Sequence, residues 1–281
     1  MGCDGVARPW RTTAGTPASS LLVSLQNRRS QMCPLFIGDS VDANRARERQ
    51  KAISKKVGRA IADYGMIEDG DKILVGVSGG KDSLTLLKIL WDRKVFVPIR
   101  YDVLALHVDL GFTGPKQEAF RRFLEKQGYP FEVRRKAVSG DGAREPLTCF
   151  WCSWNRRRVL FEEAKKNGCN KIALGHHKDD IVETILMNLL FEGEISAMAP
   201  KQEMFEGQLH IIRPLAYVEE REISRFARLM EFPVCGCLCP QAGRTQRAVV
   251  KKIIADVQKT APGVKSNIFR SLQRIKKEYL L

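Results

Sequence analysis

Apolar positions along the chain alternate between short continuous runs and helix-period stretches. Residues 45–65 place apolar side chains at helical spacing among Lys and Arg, and Tyr64-Gly65 closes the pattern. A buried strand is expected at 73–78 (ILVGVS), then a helix at 82–94. YDVLALHVD, 101–109, has almost no polar alternation, so both of its faces should be covered. A helix at 116–127 ends at Gly128, a third strand covers 131–138, and a helix at 153–167 ends at Gly168. KIALGHH, 171–177, reads as a fourth strand, IVETILMNLLF as a helix, HIIRPLAYV (210–218) as a fifth strand and 219–231 as a helix. Strands alternating with helices predict an α/β fold: a parallel five-stranded sheet with helices on both faces. Beyond 232 the pattern is helical and basic, interrupted by the Cys-rich turn VCGCLCPQ. The expected organisation is an extension over 1–45, an α/β domain over 46–232 and a C-terminal segment over 233–281.

Charge narrows the partner. The 281 residues carry a net charge of +15, with 13 Lys/Arg against 4 Asp/Glu between 221 and 281. A basic excess of this size points to a polyanion, nucleic acid first. No stretch approaches the roughly 18 apolar residues that would cross a bilayer, so no membrane role is expected. Residues 1–45 are rich in Ser, Thr, Gly and Arg and nearly free of acid before Asp39. A transit peptide, a flexible extension or a non-native upstream start all have that composition. With no apolar h-region for secretion, a cytoplasmic location with reduced thiols is expected.

SGGKDS, 78–83, follows the first strand and opens a helix. It is not a Walker A loop, because Asp82 stands where Ser or Thr is needed and Val75 where the first Gly is needed. It can still cradle phosphate. Gly79 and Gly80 allow close backbone approach, Lys81 balances charge, and Ser78 and Ser83 donate hydroxyl hydrogen bonds. Asp82 can cap the helix or help hold Mg²⁺. Ligands of open α/β sheets lie beyond the carboxyl ends of strands. His107 and Asp109 end the second strand, and Gly175, His176, His177, Asp179 and Asp180 end the fourth as GHHKDD. Of the two acids, one can cap the next helix while the other shares Mg²⁺ or moves a proton.

Eight cysteines are present, and Cys149-x-x-Cys152 opens a predicted helix. The spacing suits a redox pair, half a zinc site or part of an iron–sulfur site. Cys235, Cys237 and Cys239 could supply further ligands, whereas Cys169 reads as a small apolar group. Arg156, Arg157 and Arg158 follow the CxxC, and beside a phosphate loop they are read as contacts to nucleic-acid phosphate. Trp151 and Trp154 fit either core packing or stacking on a splayed base.

SGGKDS resembles the pyrophosphate-binding loop of the N-type ATP pyrophosphatases, which attach AMP to a substrate oxygen and release pyrophosphate. Together with CSWNRRRVLFEEAKKNGCNKIALGHHKDDIVETILMNLLFEG and IIRPLAYVEEREISRFA, the chain over roughly 50–250 resembles the TtcA-type tRNA-cytidine 2-sulfurtransferases, the tRNA 2-thiocytidine synthetases. The resemblance implies an ATP- and Mg²⁺-dependent thiolation of an anticodon-loop cytidine. It further implies a [4Fe–4S] cluster on three Cys. Two are Cys149 and Cys152, and the third stands seven residues before Gln246-Arg247, at Cys239. A sulfur donor, such as a cysteine desulfurase or free sulfide, and a homodimer are also implied. The chain departs from the family pattern at Arg158, where Gly is usual, and at Cys235-x-Cys237-x-Cys239, where Cys237 competes as third ligand. Thiolation of a uridine is the nearest alternative. A non-catalytic zinc-bearing RNA-binding protein is the alternative from another class.

Overall fold

The computed structural model describes residues 41–109, 115–136, 149–234 and 246–279. Six strands form one sheet: β1 (Asp71–Gly76), β2 (Tyr101–Asp109), β3 (Phe131–Arg135), β4 (Lys171–Ala173), β5 (Lys201–Met204) and β6 (Leu209–Ile212). Their spatial order is β3-β2-β1-β4-β6-β5, parallel throughout except for the β5–β6 pair. The helices are α1 (Val41–Asp63), α2 (Lys81–Arg93), α3 (Pro115–Lys126), α4 (Cys149–Lys166), α5 (Lys178–Met187), α6 (Glu220–Leu229), α7 (Gln246–Thr260) and α8 (Val264–Ser271).

Period-two alternation inside continuous apolar runs explains the layers. Ile73 and Val75 of β1, with Val103 and Ala105 of β2, face a core shared with Ile53 of α1, Leu86 and Leu90 of α2 and Phe226 of α6. Leu74, Leu106 and Val108 face the opposite core with Val159 and Leu160 of α4. Both faces are covered, as a parallel sheet requires.

Several expectations change. The fourth strand, expected through His177, stops at Ala173. The fifth parallel strand stops at Ile212, and Pro214–Tyr217 coil into a 3-10 turn. Pro214 has no N–H to donate to a ladder, so RPLAY cannot continue the strand. A sixth, antiparallel edge strand precedes it: β5 folds back on β6 through a turn with positive φ at Phe205, Glu206 and Gly207. The helix expected through Phe191 ends as an α-helix at Met187 and continues as a π turn to Glu192.

Between β1 and β4 the connections leave in opposite directions. This switch point opens a crevice at the carboxyl ends of the two central strands.

Candidate active site

SGGKDS leaves β1 at the switch point. Its serines brace the loop: the Ser78 N–H donates to Ser83 Oγ at 3.2 Å, the Gly80 N–H to Ser78 Oγ at 3.3 Å, and Ser83 Oγ to the Gly80 carbonyl at 3.0 Å. Gly79 takes φ +82°, a value that L side chains rarely adopt. Lys81 and Asp82 form the first turn of α2, with Lys81 Nζ 3.3 Å from Asp82 Oδ1 and 3.1 Å from Glu220 Oε1. Burial opposes the lysine's charge, and the two carboxylates outweigh it, so its pKa lies above the ordinary lysine value.

β4 delivers Gly175 against this loop. A Cβ on Gly175 would lie 2.9 Å from the Ser83 nitrogen and 3.1 Å from the Asp82 carbonyl carbon, so only glycine permits the approach. His177 caps α5 in a capping box with Asp180, whose Oδ2 accepts from the His177 N–H at 2.9 Å. The same imidazole lies 3.8 Å from Asp82 Oδ1 and 3.3 Å from Asp180 Oδ2, between the two carboxylates. His176 is held neutral: burial, then the nearby Arg213 charge, push its pKa down to about 4.

Above the crevice, α4 turns Ser153, Arg156 and Arg157 toward the same space. A cavity of about 300 Å³ results, in which Ser78, Asp82, Ser83, Gly175 and Asp180 face Arg156 and Arg157. Arg156 Nε and His176 Nδ1 are buried there without a hydrogen-bond partner among the described residues, and Asp82 Oδ1 meets only ion-pair contacts, from Lys81 and His177. Buried polar atoms of this kind are costly unless a ligand or water satisfies them. Size, glycine cradle and cationic wall fit a nucleotide.

Other predicted residues lie around this cavity rather than on its wall. His107 is buried beneath the loop with Nδ1 2.8 Å from the Val77 carbonyl, and burial lowers its pKa. Asp109 ends β2 beside Arg135 of β3. Asp179 accepts from Lys265 Nζ at 2.6 Å and from the Glu220 N–H at 2.8 Å, on the wall of a second cavity of about 140 Å³. Arg158 projects outward, paired with Glu162 at 2.8 Å and 5.9 Å from the Trp154 ring. Trp151 and Trp154 stack with centroids 5.3 Å apart. Positions 149 and 152 occupy the first turn of α4, three residues apart and so on one helix face. Cys152 is half-buried, next to the Ser153 that lines the cavity. Cys235, Cys237 and Cys239 lie outside the described residues.

The PP-loop domain family matches residues 49–235. A tRNA-cytidine(32) 2-sulfurtransferase of Geobacter sulfurreducens is 43% identical over 244 residues, covering 83% of this chain and 93% of that protein. The chain belongs to the tRNA-cytidine(32) 2-sulfurtransferase family. A member from Hahella chejuensis is 39% identical and covers 86% of each chain. Among solved structures, the U34-tRNA thiolase NcsA from Methanococcus maripaludis with its [4Fe-4S] cluster superposes with a TM-score of 0.65. It is 24% identical and covers 83% of this chain and 81% of that one, a likeness of fold.

Several site residues in this family member were not legible as such. Arg213 sits in RPLAY, but its burial emerges only in three dimensions: it donates to the Ala199 carbonyl while Nε has no partner among the described residues. Burial, and Arg157 nearby, lower its pKa to about 10, so it stays a cation. Glu220 and Arg247 reach the site from α6 and α7. Arg247 lies 3.3 Å from Asp180 and 3.1 Å from Glu183.

Proposed function

We propose that this chain thiolates the cytidine at tRNA position 32, using ATP to activate the C2 oxygen. One observation carries the reading. The phosphate-type loop, the GHHKDD strand end and the arginines following the CxxC line one cavity, so the nucleotide pocket adjoins the cysteine-bearing helix.

The chemistry follows from that adjacency. The cytidine O2 attacks the α-phosphorus of ATP, and pyrophosphate leaves. Sulfide then replaces the C2 oxygen and AMP departs with it, leaving C=S. The backbone of Gly79 and Gly80, the hydroxyls of Ser78 and Ser83 and the ammonium of Lys81 hold the departing pyrophosphate. Arg156 and Arg157 cover the other side and meet tRNA phosphate, with Arg158 further out on the same helix. His107, Asp109 and Gly175 shape the pocket from the strand ends. Asp82 and Asp180 share the cavity, and bringing a polyphosphate beside two carboxylates needs a bridging Mg²⁺. Asp180 is the acid placed to hold that ion or take a proton, while Asp179 anchors α5 to α6 and α8.

Cys149 and Cys152, one helical turn apart, have the soft thiolate donors and the spacing for two ligands of a [4Fe–4S] cluster, with Cys239 as the third. When bound, such a cluster supplies an iron-centred Lewis acid with one position open to a sulfur ligand. A sulfur donor, a cysteine desulfurase or free sulfide, and a homodimeric assembly complete the proposal.

The test is nucleoside mass spectrometry of total tRNA from cells lacking the gene. Loss of 2-thiocytidine, restored by the wild type but not by Cys149→Ala, is expected. Loss of a thiouridine instead moves the target base, and unchanged thionucleosides overturn the reading. In the purified protein, Cys149→Ala, Cys152→Ala and Cys239→Ala should each lose iron and visible absorbance together. An iron-replete Cys239→Ala protein would hand that ligand position to another thiol such as Cys237.

A further inference from the structure

A further concave site lies between α1 and the carboxyl end of α2, and the nucleotide chemistry does not use it. Helix α2 has 13 residues, so this site stands about 20 Å along its axis from Lys81. The groove encloses about 400 Å³ between Arg47, Lys51 and Lys55 of α1 and Asp92, Arg93 and Phe96. Phe96 is 64% exposed, although its ring is large and apolar.

The groove is braced from below. Arg93 donates to the Ser54 carbonyl at 2.8 Å and to Ser54 Oγ at 3.0 Å, and its guanidinium lies 5.5 Å from the Phe96 ring. Gly58 permits this, because a Cβ there would stand 2.7 Å from Arg93 Nη2. Asp92, the one carboxylate lining the groove among the described residues, is taken up by Lys88 and Gln50 at 2.5 Å each. Lys51 and Lys55 are exposed and make no ion pair among the described residues. Lys51 and Lys55 therefore set positive charge beside an exposed aromatic face.

We infer that this groove is a second contact surface for RNA, engaging the substrate tRNA away from the reacting base. This rests on the tRNA reading above. Cationic rims that follow a phosphate backbone, with an aromatic face for an unpaired base, are the physical signature of such contacts. Charge opposes the rival occupants. Residues 1–38 hold four Arg and one Asp, so this segment would meet like charge on the rim. A second copy paired symmetrically across this groove would set one basic α1 against another.

The test measures binding separately from catalysis. Full-length holoenzyme is titrated against an unmodified tRNA transcript by fluorescence anisotropy over a range of salt concentrations. Lys51→Glu/Lys55→Glu should weaken binding roughly ten-fold or more and flatten the log–log salt slope by between about 1 and 2. Phe96→Ala should weaken it about ten-fold at an unchanged slope. In thiolation assays the double variant should raise KM for tRNA while kcat and KM for ATP stay at wild-type values. An unchanged affinity and slope in the double variant would overturn the inference, as would a defect seen only with a protein sulfur donor. An unchanged affinity in Phe96→Ala would remove the stacking contact. A wild type that binds tRNA yet makes no 2-thiocytidine would sink the proposed reaction, and the groove would still stand or fall on the binding data.

Discussion

Glu220 Oε1 lies 3.1 Å from Lys81 Nζ, joining the first turn of α6 to the first turn of α2 across 139 residues of sequence. The contact begins a run of alternating charge. Glu220 Oε2 is 3.3 Å from Lys251, Lys251 is 3.6 Å from Glu183, Glu183 is 3.1 Å from Arg247, and Arg247 is 3.3 Å from Asp180. The run starts at the loop lysine and returns to the cavity wall through α7. A capping box between Glu219 and Glu222 fixes the start of α6, so Glu220 is a preset partner for Lys81. Glu220→Gln keeps the shape and removes the charge. It should slow tRNA-dependent pyrophosphate release by roughly ten-fold or more, because in the proposed reaction a displaced Lys81 ammonium loses its alignment with the phosphates. A wild-type rate would mean that Asp82 alone orients Lys81.

Gly175→Ala tests the close approach of β4 to the loop. The new methyl would meet backbone atoms of Asp82 and Ser83, which cannot rotate away as a side-chain tip could. Overpacking of this kind costs about 1–3 kcal/mol. A lower Tm with ATP affinity reduced at least ten-fold is expected, read by thermal melts and calorimetric titration. A normal ATP affinity would show that the loop can retreat without losing its ligand.

How much of this was legible in the sequence follows from where the signals are local. The parallel strands β1, β2 and β4 could be placed because their apolar runs are largely buried and end at glycine-rich or charged segments. SGGKDS and GHHKDD could be placed because each directly follows such a run. The edge strand β5, Lys-Gln-Glu-Met, carries no β-branched residue and half of it faces solvent, so no pattern marked it. RPLAY extended an apolar run past the point where Pro214 ends the ladder. Glu220, Lys265 and Arg247 were invisible for a different reason. Each sits on a helix face that looks solvated in one dimension, and acquires its role from a partner 64 to 139 residues away.

Asp179 and Lys265 supply a pH-dependent clamp. Burial raises the Asp179 pKa, but the hydrogen bonds from Lys265 and the Glu220 N–H outweigh it and hold the folded value below the ordinary 3.8. A depressed carboxylate contributes stability that is complete above its unfolded pKa and is lost as pH falls through its folded one. The clamp therefore acts fully above about pH 4. Lys265→Met should cost about 1–3 kcal/mol at neutral pH and move the acid-unfolding midpoint upward. Circular dichroism melts at pH 7 and pH 3 measure both. The variant and wild type should converge at the acid end, and an equal difference at both pH values would assign the loss to packing.

His176 and Arg213 form the last testable pair. The imidazole is displaced to about 4 by burial first and by the Arg213 charge second. Arg213→Met removes the second cause and keeps most of the first. The His176 pKa, followed by the ¹³C shift of its labelled ring, should rise in the variant and still remain below the ordinary histidine value of 6.5. Arg213 is also one of the cations around a cavity that holds a polyphosphate in the proposed reaction, so ATP affinity should fall in the same variant at pH 7. A titration that rises without any change in ATP affinity would place the Arg213 charge behind the wall of the pocket, acting on His176 alone.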